Sequence, residues 1–98
     1  MQVYEHGPQF WFLLKDGNDY YLSVRCEQSF VGFEMLLRLT PDEYREYHAC
    51  GRVYIDYLAT RVNYWASEYQ SRNLQQKMGA QVHEVIMAWL ADNPRANS

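Results

Sequence analysis

Cysteine is scarce in this chain. Cys26 and Cys50 are the only two, too few for a disulfide scaffold, and in a reducing compartment both are expected as thiols. Long hydrophobic runs are missing as well. Runs such as Phe10 to Leu14 and Val85 to Ala91 fall far short of the roughly 18 to 20 residues that cross a bilayer. The opening MQVYEHGP has neither the basic nor the apolar stretch of a secretory signal. These absences lead to the expectation of a soluble, cytoplasmic protein with no membrane contact. Positive charge is thin too. Residues 1–49 hold four basic against eight acidic side chains and residues 50–98 five against four, a net charge of −3. No Lys/Arg stripe is available to neutralise phosphates, so nucleic-acid binding is not expected.

No Pro/Ser/Gly-rich stretch divides the 98 residues. A chain of this size hides roughly 60 to 70% of its unfolded surface on folding, enough for one core. One domain over 1–98 is therefore expected, with a short flexible tail at 94–98.

Catalytic signatures are also absent. No GxSxG, GxGxxG or P-loop pattern occurs, and His83-Glu84 lacks the second histidine of HExxH. His48 and Cys50 are two apart, about 200° around a helix, so one ion could not easily take both. His6, Cys26 and His83 show no ligand spacing for a structural zinc site. Cys50 has Glu46 one helical turn away, which opposes thiolate formation. No metal, no cofactor and no catalytic residue is expected. The least favoured class is an enzyme whose site is assembled from dispersed residues.

What the chain does have is pattern. FWFLLK, DGN and DYYLSVRC read as two strands around a tight turn, where Gly17 and Asn18 tolerate positive φ. A three-residue loop would place Phe10, Phe12 and Leu14 on one face with Tyr20, Leu22 and Val24, and that segregated register is preferred. A third strand alternates Val31, Phe33, Met35, Leu37 and Leu39 with Gly32, Glu34, Leu36 and Arg38. The fold class expected is α+β: a three-stranded antiparallel β-meander over about 9–39, which residues 2 to 5 could widen, followed by two or three α-helices packed on the sheet. The meander's second face carries Trp11, Leu13, Tyr21 and Leu36, and intramolecular cover is the preferred account of it.

Thr40-Pro41-Asp42-Glu43 announces a helix: Thr40 caps, Pro41 suits the first position, and Glu43 closes a capping box. Tyr44, His48, Gly51, Ile55, Leu58, Val62, Trp65 and Tyr69 then recur at spacings of four and three, the mark of a buried stripe. Unbroken, this helix would be roughly 40 Å long, so a break or kink at Gly51 is favoured. In the last helix Asn73 caps, Leu74, Met78, Val82, Val85, Ile86, Trp89 and Leu90 share a face, Gly79 allows close packing, and Asn93-Pro94 ends the element.

Six of the nine tyrosines lie between residues 44 and 69. Tyr44, Tyr47, Tyr54, Trp65 and Tyr69 fall on or beside the buried stripe and are expected in the core. Tyr57 and Tyr64 stand on a flank beside Val53, and Tyr57, Arg61 and Tyr64 have the i, i+4, i+7 spacing that lines side chains up. Tyrosine and arginine are enriched at protein-binding hot spots, so these three are candidate partner-binding residues. Asp42, Glu43 and Glu46 are added as an acidic surface that would attract a basic protein, although the helix N-terminus explains them equally well. The expectation is a small non-enzymatic protein acting by protein–protein binding, in the manner of an inhibitor or immunity-type factor for a basic toxin or enzyme. The alternative is a homodimeric small-ligand-binding domain with an aromatic pocket between sheet and helices.

Overall fold

Apolar residues crowd both sides of the turn at Gly17-Asn18, and the chain folds back there into a sheet that helices cover on both faces. The computed structural model describes residues 1–7, 10–28 and 31–97. Four strands, β1 (Gln2–His6), β2 (Trp11–Asp16), β3 (Asp19–Gln28) and β4 (Val31–Arg38), form an antiparallel sheet in chain order. The helices are α1 (Pro41–Cys50), α2 (Arg52–Tyr64), α3 (Ala66–Tyr69) and α4 (Gln75–Asp92), with 3₁₀ turns over Gln70–Arg72 and Pro94–Asn97. The class is α+β as expected, but the sheet has four strands instead of three: β1 pairs with β2 and adds an edge.

The register differs from the expected one. Asp16 pairs with Asp19 across a two-residue turn, so Trp11 lies opposite Val24, Leu13 opposite Leu22 and Leu14 opposite Tyr21. Directly opposed residues share a face. Trp11 and Leu13 therefore join Tyr20, Leu22, Val24, Met35 and Leu37 beneath α2, where Ile55, Leu58, Ala59 and Val62 pack on them. Leu14, Tyr21 and Leu36 face the other way, against Val82 of α4 with Met78, Val85 and Ile86 around it. Segregation of apolar from polar residues decides a register only when one face meets water. Here both faces are buried, so each strand needs apolar side chains on both sides and the shorter loop wins. The anticipated cover of the second face is α4.

The Thr40 capping box forms as read: Thr40 Oγ1 accepts from the Glu43 amide at 3.1 Å and Glu43 Oε1 accepts from the Thr40 amide at 2.9 Å. The break at Gly51 is also present. Gly51 has φ 68° and ψ −150°, a region that glycine alone enters without strain, and it turns α1 away from the line of α2. The buried stripe continues only through α2, since α1 buries no residue fully and His48 is exposed. Trp65 is a correction. Placed in the core by helical phase, it is 54% exposed, because α2 stops at Tyr64 and Trp65 leaves helical geometry at φ −122°, ψ 40°.

The segment entering α4 guards an edge of the sheet. Asn73 Oδ1 accepts from the Gln75 amide at 3.0 Å and from the Leu36 amide at 3.1 Å, but it is not the cap expected of it: the helix starts one residue later, with Leu74 at the capping position and no side-chain cap. Leu74 N donates to Leu36 O at 2.7 Å and Arg72 Nη2 to Arg38 O at 3.0 Å. Backbone groups of β4 that would otherwise recruit another strand are thereby occupied. Gly79 is buried under the side chain of Gln75, whose amide would meet an added Cβ at 2.5 Å.

Candidate functional site

The rotation of α2 about its axis decides which of its side chains meet solvent. Ile55, Leu58, Ala59 and Val62 point into the core, and at 100° per residue Val53, Tyr57, Thr60 and Tyr64 fall on the opposite side. Asp56 fixes this rotation from the flank by accepting the indole N–H of the fully buried Trp11 at 2.7 Å. Val53 is 72% exposed, Tyr57 56% and Tyr64 73%. Large apolar side chains that stand this far out of a small protein, in a row, form the kind of patch that marks an interaction surface.

Of the six residues expected at a partner-binding site, Tyr57, Arg61 and Tyr64 lie on α2 and Asp42, Glu43 and Glu46 on α1. The structure links the two groups through residues the sequence reading did not assign there. Arg61 packs its guanidinium 6.0 Å from the Tyr57 ring centre and donates through Nε to the Tyr69 hydroxyl at 3.2 Å. Arg72 lies over the other side of this group, 5.8 Å from the Tyr69 ring centre, and donates to Glu43 at 2.6 and 3.0 Å. Tyr54 completes the row, its ring 6.1 Å from that of Tyr57. Burial raises the Tyr54 hydroxyl above its ordinary pKa, and the Glu43 and Glu46 carboxylates add to that. The hydrogen bond to the Tyr69 hydroxyl raises the Arg61 guanidinium above its ordinary pKa. An arginine held against two tyrosines loses little freedom when a partner arrives, which lowers the entropic cost of contact.

The acidic residues separate. Glu43 is engaged inside the fold, capping α1 and pairing with Arg72, with its side chain 13% exposed. Asp42 pairs with Arg45. Glu46 is exposed on α1. The surface a partner would meet is thus chiefly aromatic, with Glu46 and the paired Asp42 at its side. Val53 and Trp65 belong to it as well. Val53 was visible in the sequence as the residue one turn before Tyr57, whereas Trp65 was hidden by the assumption that the helix ran on to Tyr69.

His48 and Cys50 are both exposed on α1, and the His48 ring is taken up by Tyr44, Oη to Nε2 at 2.8 Å. Cys26 is buried, and burial pushes its thiol up to about 11. Among the described residues no three His, Cys, Asp or Glu side chains come together as a metal site would require. No helix of the described residues is long and apolar enough to cross a membrane. An open cleft of about 550 Å³ lies between the end of β1 and the C-terminal end of α4, lined by His6, Trp89, Asp92, Asn93, Pro94 and Arg95. The His6 and Trp89 rings stand 4.9 Å apart in its wall.

Comparison with known proteins adds no assignment: no family model, no curated protein and no solved structure matches this chain.

Proposed function

We propose that this protein works by binding another protein, without catalysis, and that the outward face of α2 is the surface it uses. One observation carries the reading: Val53, Tyr57 and Tyr64 project from a helix whose other face is already buried in the core. Keeping these rings in water costs solubility, and a partner that covers them regains roughly 25 cal/mol for each Å² of apolar surface removed from water. Arg61 sits among them, and arginine with tyrosine is the pairing enriched at the energetic centres of interfaces. Glu46, Asp42 and the net charge of −3 favour a basic partner. An inhibitor or immunity-type factor covering a basic toxin or enzyme is the concrete form of this proposal.

The test is capture of a partner by wild-type protein and by a Tyr57→Ala, Tyr64→Ala double variant, with Met87→Ala on the exposed side of α4 as control. The reading expects one interactor to be lost with the double variant and kept with the control. Equal capture by all three would remove α2 from the site. A second reading, a small-ligand-binding domain, draws its support from the cleft walled by His6 and Trp89, whose volume falls in the range of ligand sites. For that reading, Trp89→Ala is the variant that should abolish ligand binding.

A further inference from the structure

The exposed row on α2 has a spacing that the core does not need. Val53, Tyr57, Thr60 and Tyr64 follow one another at four, three and four residues, the interval by which one helix lays a seam along another. At 100° per residue they occupy a strip roughly 60° wide and roughly 16 Å long. Thr60 belongs to this strip as an apolar residue. Its hydroxyl donates back to the Asp56 carbonyl at 2.8 Å, which leaves its methyl to face outward.

The order of residues along the strip is self-complementary. With a second α2 laid antiparallel about a two-fold axis midway between Leu58 and Ala59, Val53 meets Tyr64 of the other copy and Tyr57 meets Thr60. Each large ring is then set against a small side chain, so every layer of the seam has nearly the same volume. A parallel arrangement instead sets Tyr57 on Tyr57 and Thr60 on Thr60, alternating crowded and empty layers. Charge agrees with the antiparallel order. Along one side of the seam Asp56 approaches Asn63 of the other copy, and along the other side Arg61 approaches Tyr54, so no like charges meet at close range.

From these relationships we infer that the free protein forms a symmetric dimer by antiparallel pairing of α2 with α2 of a second copy. This rests on the reading of the outer face of α2 as a docking surface and goes beyond it by naming one occupant. The seam defines the dimer's strength. A fully buried aromatic side chain contributes about 150–250 Å², and a strip with two tyrosines that are partly covered already supplies several hundred Å² per copy. That is below the roughly 800 Å² per partner of standard stable interfaces, so the dimer is of the weak, concentration-dependent class. A target protein that fits the same strip would displace the second copy by competition.

Sedimentation velocity from about 10 μM to about 1 mM chain is the first test, a span that brackets weak association. The expected result is a shift from monomer to dimer, with the dissociation constant raised at least tenfold by Tyr57→Ser with Tyr64→Ser, while thermal melting confirms that the variant is folded. A wild-type protein that stays monomeric throughout, or a dimer indifferent to those substitutions, overturns the inference. Orientation is read separately in a Cys50→Ser background. Chains carrying Val53→Cys are mixed with chains carrying Tyr64→Cys and oxidised. Antiparallel pairing gives mainly the mixed disulfide, and exclusive formation of like-with-like disulfides overturns it. Loss of partner capture in the Tyr57 and Tyr64 variant of a strictly monomeric protein would leave the proposed function standing and this inference alone refuted.

Discussion

The indole N–H of Trp11 in β2 donates to the carboxylate of Asp56 in α2 across 2.7 Å. Trp11 is fully buried, so this bond satisfies the one polar atom its ring brings into the core. The ring is confined from other directions too. The Arg52 guanidinium lies 5.4 Å from its centre, and a Cβ on Gly7 would stand 2.2 Å from its nitrogen. Asp56 is the neighbour in sequence of both Ile55, which enters the core, and Tyr57, which leaves it. The same bond that anchors α2 therefore orients its outer face.

Asp56→Ala leaves the buried indole donor without a partner and should cost about 1–3 kcal/mol. Urea denaturation would report a lower midpoint with an unchanged slope. Combining it with Trp11→Phe should cost less than the sum of the two single changes, because the second removes the group that the first orphaned. Strict additivity would mean the bond contributes nothing.

Two glycines should respond differently to alanine. Gly51→Ala forces a side chain into φ 68°, ψ −150°, although no neighbouring atom lies within 4 Å of the new Cβ, and the conformational cost alone is about 1–3 kcal/mol. Gly79→Ala meets only the movable end of Gln75 and gains helix propensity of up to about 1 kcal/mol, so it should be close to neutral. Thermal melts of the two variants decide the matter.

Acid should loosen the link between α1 and the turn before α4. Burial works to raise the Glu43 carboxyl, but the Arg72 and Thr40 hydrogen bonds outweigh it and hold the group below its ordinary pKa. A carboxylate lowered in the folded state contributes stability that is fully present above its unfolded value, about 4.3, and is lost as pH falls through the folded value. Glu43→Gln should cost about 1–2 kcal/mol at neutral pH, since Arg72 remains partly hydrated. Its stability should then fall less steeply than wild type between about pH 5 and pH 3. Parallel curves would contradict the linkage.

The two thiols should separate cleanly. Cys50 is exposed and Cys26 is buried, with its thiol pushed up to about 11. At pH 8 an alkylating reagent should label one cysteine per native chain, Cys50, and reach Cys26 only on unfolding. Mass spectrometry of the labelled peptides reads this directly.

Local chemistry was the legible part of this sequence. The Thr40 capping box, the break at Gly51, the buried row of Ile55, Leu58 and Val62 and the end of α4 at Asn93 were each written in a few neighbouring residues. What escaped depended on the fold as a whole. The hairpin register at Asp16 and Asp19 could not be read by separating apolar from polar residues, because both faces of the sheet are covered and each strand carries apolar side chains on both sides. Trp65 was assigned inward by extending a helix one residue past its end. Arg72 and Tyr69 were invisible as companions of Arg61, since only the chain's return after α3 brings them beside α2. The outward aromatics Tyr57 and Tyr64 were legible from helical phase alone.

The central claim is that the strip from Val53 to Tyr64 exists to be covered. Hydroxyl-radical footprinting tests it most directly, on dilute protein and again at dimer-forming concentration or with a captured partner. The account predicts that Tyr57, Tyr64 and Trp65 are oxidised readily in the dilute sample while Trp11 is spared, and that protection on association centres on Tyr57 and Tyr64. Association that leaves both tyrosines as reactive as before, with protection elsewhere on the surface, would contradict it.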